Sequence, residues 1–256
     1  MVQTVSKFQF ISDLKSSGVD FTLRDKKNVT PLLRLAWAEK LPFIQALFNH
    51  GVKPEQKYHP SGLTLLHALS HVQYHDFKLL QEICQITGTH CVSLCNCPVD
   101  SGININHQDE SGYTALHYAA ESRNEDMCNI LLDLGADVSI QTNKGKTAIM
   151  LGLKQGLCYH SIRFRNFVYE MLVSGSPVEQ RINDKLLERL VYSNPKSLTA
   201  VATNSRNVLH YVASAFSSHS TSILELIFAH STEEMINQQD QDGNTPLHNV
   251  CAGKVY

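Results

Sequence analysis

A unit of about 33 residues recurs along this chain, and that recurrence constrains the fold more than any other feature. Between Asp109 and Thr147 a Gly-containing turn leads into Thr114-Ala115-Leu116-His117. A short helical pattern follows, a second one ends in Leu131-Leu132, Gly135 closes it, and a new turn delivers Thr147, 33 residues after Thr114. The same slot is filled by Thr30-Pro31-Leu32-Leu33, Thr64-Leu65-Leu66-His67, Thr147-Ala148-Ile149-Met150, Asn207-Val208-Leu209-His210 and Thr245-Pro246-Leu247-His248, at spacings of 34, 50, 33, 60 and 38. Two more anchors keep phase. A Gly stands 12 or 13 residues before four of the Thr positions (Gly18, Gly51, Gly102, Gly135), and Asp25, Asp109 and Asp240 stand five before theirs. Two short helices cannot bury their apolar faces alone, so units of this kind must stack on their neighbours.

The register resembles the ankyrin repeat, whose signature is T-P-L-H-x-A at a period of 33. The resemblance covers nearly the whole chain, is most specific at Thr114 and Thr245, and is degenerate between about Leu151 and Asn207. It implies an all-α fold: a solenoid of stacked antiparallel helix pairs joined by short β-turn or hairpin connections.

In chain order, residues 1–21 read as the second half of a unit, with Phe8, Ile11 and Leu14 at helical spacing before Gly18. Residues 22–54 form a full unit, with Asn28 where most other turns have Gly and Pro42 opening the second helix. Residues 55–101 carry a Cys-rich insertion after a helix that ends near Ile86. Residues 102–135 are the clean unit. In 136–175, Phe164, Phe167, Val168, Met171 and Leu172 predict the second helix, closed by Gly175. Residues 176–203 predict an extra helix or decayed repeat, from Ile182 to Tyr192. Residues 204–236 return to register, and 237–256 stop after one short helix, which predicts fraying from about Asn244.

The charge balance, 22 Lys and Arg against 24 Asp and Glu, supplies no basic stripe, so nucleic acid is not an expected partner. No stretch reaches the roughly 20 apolar residues that span a bilayer, and the N-terminus lacks a signal-peptide pattern, so no membrane role is expected. Seven Cys, several inside repeat helices, suit a reducing compartment, so the chain is expected in the cytosol, the nucleus or both.

A His-rich motif set invites talk of catalysis. The resemblance implies a structural role instead: the Thr caps its helix and the His bonds neighbouring backbone. Thr30, Thr64, His67, Thr114, His117, Gly135, Thr147, His210, Thr245 and His248 are read as structural on that basis. The insertion offers Cys91, Cys95 and Cys97 beside His90, with Cys84 and His107 flanking. Thiolate and imidazole suit Zn²⁺, but C-x3-C-x-C is not a standard spacing, and free thiols in a loop are the simpler reading. Asp240-Gln241-Asp242-Gly243 lacks the ligand set of a calcium loop. Asn106 and Asn237 stand eight before a motif position, where the resemblance allows hydroxylation and a plain turn role is simpler. No phosphate loop, dinucleotide fingerprint or nucleophile elbow is present, so no catalytic residue, cofactor or small-molecule substrate is expected.

The resemblance implies a protein-interaction module that holds a partner protein on a concave face. Its contact residues would be those four, three and one before the motif position, and seven and eight after it. By register the tips offer Lys26, Lys27 and Val29; Pro60, Ser61 and Leu63; Glu110, Ser111 and Tyr113; Asn143, Lys144 and Lys146; and Gln241, Asp242 and Asn244. The helix positions offer Trp37, His71, Glu121, Ser122 and Lys154. Trp37 and Tyr113 stand out as aromatic anchors, although Trp37 equally suits packing between repeats. The alternative is a regulatory or targeting segment of a larger enzyme, such as a tankyrase-like ADP-ribosyltransferase, a kinase or a ubiquitin ligase.

Overall fold

The computed structural model describes residues 16–21, 23–52, 61–74, 76–88, 104–153, 178–214 and 221–252. They fall in two compact units, residues 1–118 with 126–136 and residues 119–125 with 137–256. The described residues are helical and contain no strand; one isolated antiparallel bridge joins Val201 to Asn207. None of their helices is long and apolar enough to cross a membrane.

In the first unit α1 is Pro31–Trp37 and α2 is Leu41–Asn49. Thr30 is extended at the N-cap and its hydroxyl accepts the Leu33 N–H at 3.4 Å, while Pro31 fits the first turn, where no N–H is needed. Leu32, Leu33 and Ala36 form the buried stripe of α1, and Leu41, Ile44, Ala46 and Leu47 that of α2. Glu39, at φ 59°, turns the chain between them, and Gly51, at φ 79°, ends α2. The next pair is α3 (Leu65–Ser70) and α4 (Phe77–Gly88). α3 packs on α1 and α4 on α2, so first helices stack on first helices and second on second. Leu80, Ile83, Cys84 and Thr87 recur at helical spacing on the buried side of α4. The Tyr74 hydroxyl donates to the Ala36 carbonyl at 2.8 Å and so fastens the second pair to the first. Each fully buried Leu contributes roughly 1.5–3 kcal/mol, and α1 and α3 together bury five.

Two more helices follow, α5 (Ala115–Glu121) and α6 (Glu125–Asp133), and Gly135, at φ 84°, closes α6.

The second unit continues with α7 (Ala148–Gly152), α8 (Val178–Ser193), a 3₁₀ turn at Pro195–Thr199, α9 (Val208–Ser214), α10 (Thr221–Ala229), the short α11 (Glu233–Asn237) and α12 (Pro246–Ala252). α7 packs against both α8 and α9, α8 against α10, and α12 against α9. The extra helix expected from Ile182 to Tyr192 lies within α8. α8 meets α7 where Leu187 lies over Gly152: an added Cβ there would stand 3.3 Å from Leu187 Cδ2. The helix expected from Phe164 to Leu172 lies outside the described residues. Asn237 is placed differently: it ends α11, with its amide on the Glu233 carbonyl, rather than standing in a turn. α12 leaves Leu247 67% exposed, although its counterparts Leu32, Leu66, Leu116 and Leu209 are exposed by 2% or less.

Candidate functional site

Each first helix is entered through a tight turn, and the turns share one construction. The residue two before the motif position has positive φ: Asn28 (62°), Gly62 (78°), Gly112 (76°), Gly145 (68°), Ser205 (61°) and Gly243 (80°). Five before the motif position, a side-chain oxygen gathers the turn amides. Asp25 Oδ1 accepts from Lys27 and Val29, Asp109 Oδ1 from Ser111 and Tyr113, and Asp240 Oδ1 from Asp242 and Asn244, all within 3.0 Å. Thr142 takes this role with one bond, Oγ1 to the Lys146 N–H at 3.2 Å.

The second carboxylate oxygen reaches out of the turn. Asp25 Oδ2 pairs with Arg34, Asp109 Oδ2 accepts the Tyr118 hydroxyl at 2.6 Å, and Asp240 Oδ2 accepts Arg206 Nε at 2.9 Å. The Arg34 hydrogen bond, with the Val29 amide, holds the Asp25 carboxyl down at about 2. Burial works against ionised Asp240, but the Asn244 amide and Arg206 outweigh it, and its pKa falls.

The motif His completes the scaffold. The Thr64 N–H donates to His67 Nδ1 at 3.1 Å, so Nδ1 is unprotonated and Nε2 carries the hydrogen. Nε2 then donates to the Tyr113 carbonyl at 3.0 Å, one turn further along the stack. His210 faces the corresponding partners, with Nδ1 3.3 Å from the Asn207 amide and 2.9 Å from Asn207 Oδ1, and Nε2 3.1 Å from the Asn244 carbonyl. His117 and His248 accept from Thr114 and Thr245 in the same way. At Thr64, Thr114 and Thr245 the hydroxyl lies 2.7 to 2.8 Å from the same His nitrogen, a partner that Thr30, with Leu33 three residues on, lacks. Burial drives the His67 pKa down to about 4, and it lowers that of His210 as well. Met150 stands in the His slot of the fourth motif, and there Thr147 Oγ1 is buried without a hydrogen-bond partner among the described residues.

The turns join one another by backbone. The Glu110 N–H donates to the Ser61 carbonyl at 2.9 Å, the Thr203 N–H to Lys144 at 2.9 Å, and the Gln241 N–H to Asn204 at 3.1 Å. The tips are thus held by their main chain while their side chains face solvent. Lys26, Lys27, Glu110, Ser111, Asn143, Lys144, Gln241 and Asp242 are exposed; Tyr113, Glu121 and Lys146 are half-buried. Trp37, 39% exposed at the end of α1, reaches the surface. In the first unit Tyr113, Tyr118 and His71 form an aromatic patch, with ring centroids 5.0 Å apart for Tyr113 and Tyr118 and 4.3 Å for His71 and Tyr118. Tyr118 was missed in the sequence. Its signal was its slot, four after the motif Thr, which Arg34 and Tyr211 also occupy. Lys154 and Pro60 lie outside the described residues.

Cys91, Cys95 and Cys97, the candidate metal ligands, lie outside the described residues too. Their flanking residues are engaged elsewhere. Cys84 is fully buried with Sγ 3.8 Å from Met127 Sδ, its thiol pushed up to about 12 by burial, and His107 Nε2 contacts the Gly62 carbonyl at 3.1 Å. Among the described residues no three His, Cys, Asp or Glu side chains gather as a metal site.

Comparison with known proteins agrees with this architecture. A family model described as ankyrin repeats (3 copies) matches residues 84–164. An ankyrin repeat protein of Acanthamoeba polyphaga mimivirus is 46% identical over 56 residues, 22% of this chain and 8% of that protein. Rabankyrin-5 of Mus musculus is 27% identical over 173 residues, 60% of this chain and 14% of that protein. The chain therefore spans only a small part of the length of the curated relatives it matches. The crystal structure of the ankyrin repeat domain of Bcl-3 superposes with a TM-score of 0.60 at 14% identity, covering 94% of this chain and 86% of that one.

Proposed function

Because this chain belongs to the ankyrin-repeat family, we propose that it works as a protein-interaction module, holding a partner protein with its turn tips and first-helix positions. Ankyrin repeats are in general protein–protein interaction modules. The finer reading rests on one contrast. The motif positions Thr30, Thr64, Thr114, Thr147 and Asn207 are all at most 1% exposed, whereas the tip residues three and four before them are mostly exposed and differ from turn to turn. A fixed main chain that carries varied, solvent-facing side chains is what a binding surface needs, because little ordering entropy is lost on association.

Within this reading Trp37 and Tyr113 are the aromatic anchors, and Glu110, Glu121, Asn143, Lys144, Lys146 and Lys154 supply polar contacts. The partner's identity does not follow from the scaffold. A regulatory or targeting segment of a larger enzyme would use the same surface, and the short span of the curated relatives that this chain covers is compatible with it. We place the protein in the cytosol or nucleus, where the buried free thiols Cys84 and Cys128 stay reduced.

Site-specific photo-crosslinking tests the interaction reading. A photoreactive residue is placed at Ser111, Asn143 or Gln241, and, as a contrast, at Glu82 or Gln85 on the second-helix side. Protein adducts are expected from the tip positions. Adducts that form only from Glu82 and Gln85 would reject the proposed surface.

A further inference from the structure

We propose that the turn tips of the second unit receive an acidic segment of a partner protein, through Lys144, Lys146 and Arg206. This rests on the interaction reading above and adds the chemistry of the partner.

The tips at 142–146 and 202–206 are immediate neighbours. The Thr203 amide donates to the Lys144 carbonyl at 2.9 Å, and an added Cβ on Gly145 would lie 2.8 Å from the Val201 carbonyl oxygen. Lys146 and Arg206 hold the same slot, directly before the motif position, and Lys144 lies two residues before Lys146. Neither tip, Thr142-Asn143-Lys144-Gly145-Lys146 or Ala202-Thr203-Asn204-Ser205-Arg206, contains a carboxylate. Three cations therefore stand on two adjoining turns of a chain whose formal net charge is −2.

The surroundings hold two of these cations in place. Asp240 is buried, and its two oxygens are occupied by the Asp242 and Asn244 amides and by Arg206 Nε. That contact uses one edge of a guanidinium with five donors, and it orients the rest. The Lys146 ammonium sits 5.6 Å from the centroid of the Tyr211 ring. Lys144 is exposed. The next tip, joined by the Gln241 amide to Asn204 and by Gln241 Nε2 to the Thr203 carbonyl, carries exposed Asp242. Along the row the charge runs positive, positive, negative.

The tips of the first unit show no such run. Lys26 and Lys27 flank the Asp25–Arg34 pair, Ser61 is neutral, and Glu110 is acidic. Charge complementarity therefore selects the second unit for an acidic ligand. Stacked helices lie about 8–10 Å apart, and an extended chain advances about 3.3 Å per residue, so successive tips match partner side chains about three residues apart. The fitting segment is extended, with carboxylates at that spacing and a cation one step further on, over Asp242. Three cations are few for a nucleic-acid backbone, whose binding neutralises a run of phosphates.

The test uses the whole chain and a fluorescein-labelled peptide of Gly and Ser with Glu at every third position, followed by one Lys. Anisotropy is read at about 50 and about 200 mM salt, a range over which screening of exposed charges increases strongly. The Glu peptide is expected to bind, to weaken as salt rises, and to lose roughly tenfold or more in affinity when its Glu are replaced by Gln. Lys144→Glu is expected to cause a similar loss, and Lys26→Glu with Lys27→Glu to cause none. Lys144 is exposed, so an unchanged circular-dichroism melt is expected to show that the variant is folded. The proposal is overturned by no binding of the Glu peptide, by equal binding to wild type and Lys144→Glu, or by tighter binding of polyuridine RNA or phosphatidylserine vesicles than of the peptide. Tip adducts in the crosslinking experiment together with any of these results would leave the interaction reading intact and reject the acidic partner alone.

Discussion

The Tyr118 hydroxyl donates to Asp109 Oδ2 at 2.6 Å, tying the middle of a first helix to the turn that launches it. The other oxygen of the same carboxylate holds two amides of that turn, so a single side chain organises the tip and anchors it to the helix. Tyr118→Phe removes one charge-assisted bond and is expected to cost about 1.5–3 kcal/mol. Asp109→Ala removes that bond and leaves two turn amides without their acceptor, so a larger loss is expected. Urea unfolding of both variants and the double variant measures the coupling; additive losses would show that the two residues do not act as one.

Acid should weaken this protein well above the range where carboxylates titrate. His67 has a folded pKa near 4, against about 6.5 when unfolded, so between these values the unfolded chain binds the extra proton. The neutral imidazole's contribution is therefore complete above pH 6.5 and is lost as pH falls toward 4. At about 1.4 kcal/mol per unit, His67 alone accounts for roughly 2 kcal/mol between pH 6.5 and 5, with His210 adding in the same direction. Unfolding free energies at pH 7 and pH 5 measure the effect. Equal values at the two pH values would contradict the buried, neutral assignment.

Two equivalent threonines should respond in opposite ways to the same substitution. Thr114 Oγ1 lies 2.8 Å from His117 Nδ1, so Thr114→Val is expected to cost about 1–2 kcal/mol. Thr147 has Met150 in the His position, and its buried hydroxyl has no partner among the described residues. Thr147→Val is expected to be neutral or stabilising, because it removes a desolvated polar group of nearly the same shape. Thermal melts of the two variants decide the matter.

Gly145 and Gly135 both have positive φ but differ in surroundings. A Cβ at Gly135 meets nothing within 4 Å, so Gly135→Ala carries backbone strain alone, about 1 kcal/mol. A Cβ at Gly145 would stand 2.8 Å from the Val201 carbonyl oxygen and 2.9 Å from Ala202 Cα. Gly145→Ala must push its turn away from the neighbouring one, and a markedly larger drop in melting temperature is expected from it. Equal drops would show that the turns are not in contact.

Much of this was legible because the repeated slots carry chemistry that only one arrangement satisfies. Asp25, Asp109 and Asp240 were visible as a period before their hydrogen bonds were, and so were the left-handed positions at Asn28 and the turn glycines. The helix Val178–Ser193 was legible from its amphipathic stretch, Ile182 to Tyr192, but its neighbours were not. Its packing on α7 and α10 is a long-range fact that no short window contains. The imidazole contact of the motif hydroxyls was not legible for a related reason: it depends on the residue three further on, where His67, His117 and His248 offer a ring nitrogen and Leu33 offers none. The Tyr118–Asp109 tie was readable in principle, but only by comparing the slot four after the motif across units.

Rigid tips are what the proposed binding mode requires, and amide hydrogen exchange measures that rigidity residue by residue. The amides that matter are Glu110, Thr203 and Gln241, each donated to the neighbouring turn. They are expected to exchange at rates close to those of buried helical amides such as Leu69 and Val212, well below those of the exposed Lys27 amide, whose bond is only to a side chain of its own turn. Exchange of Glu110, Thr203 and Gln241 at the rate of Lys27 would contradict the account, because the tips would then be loose loops rather than a fixed display.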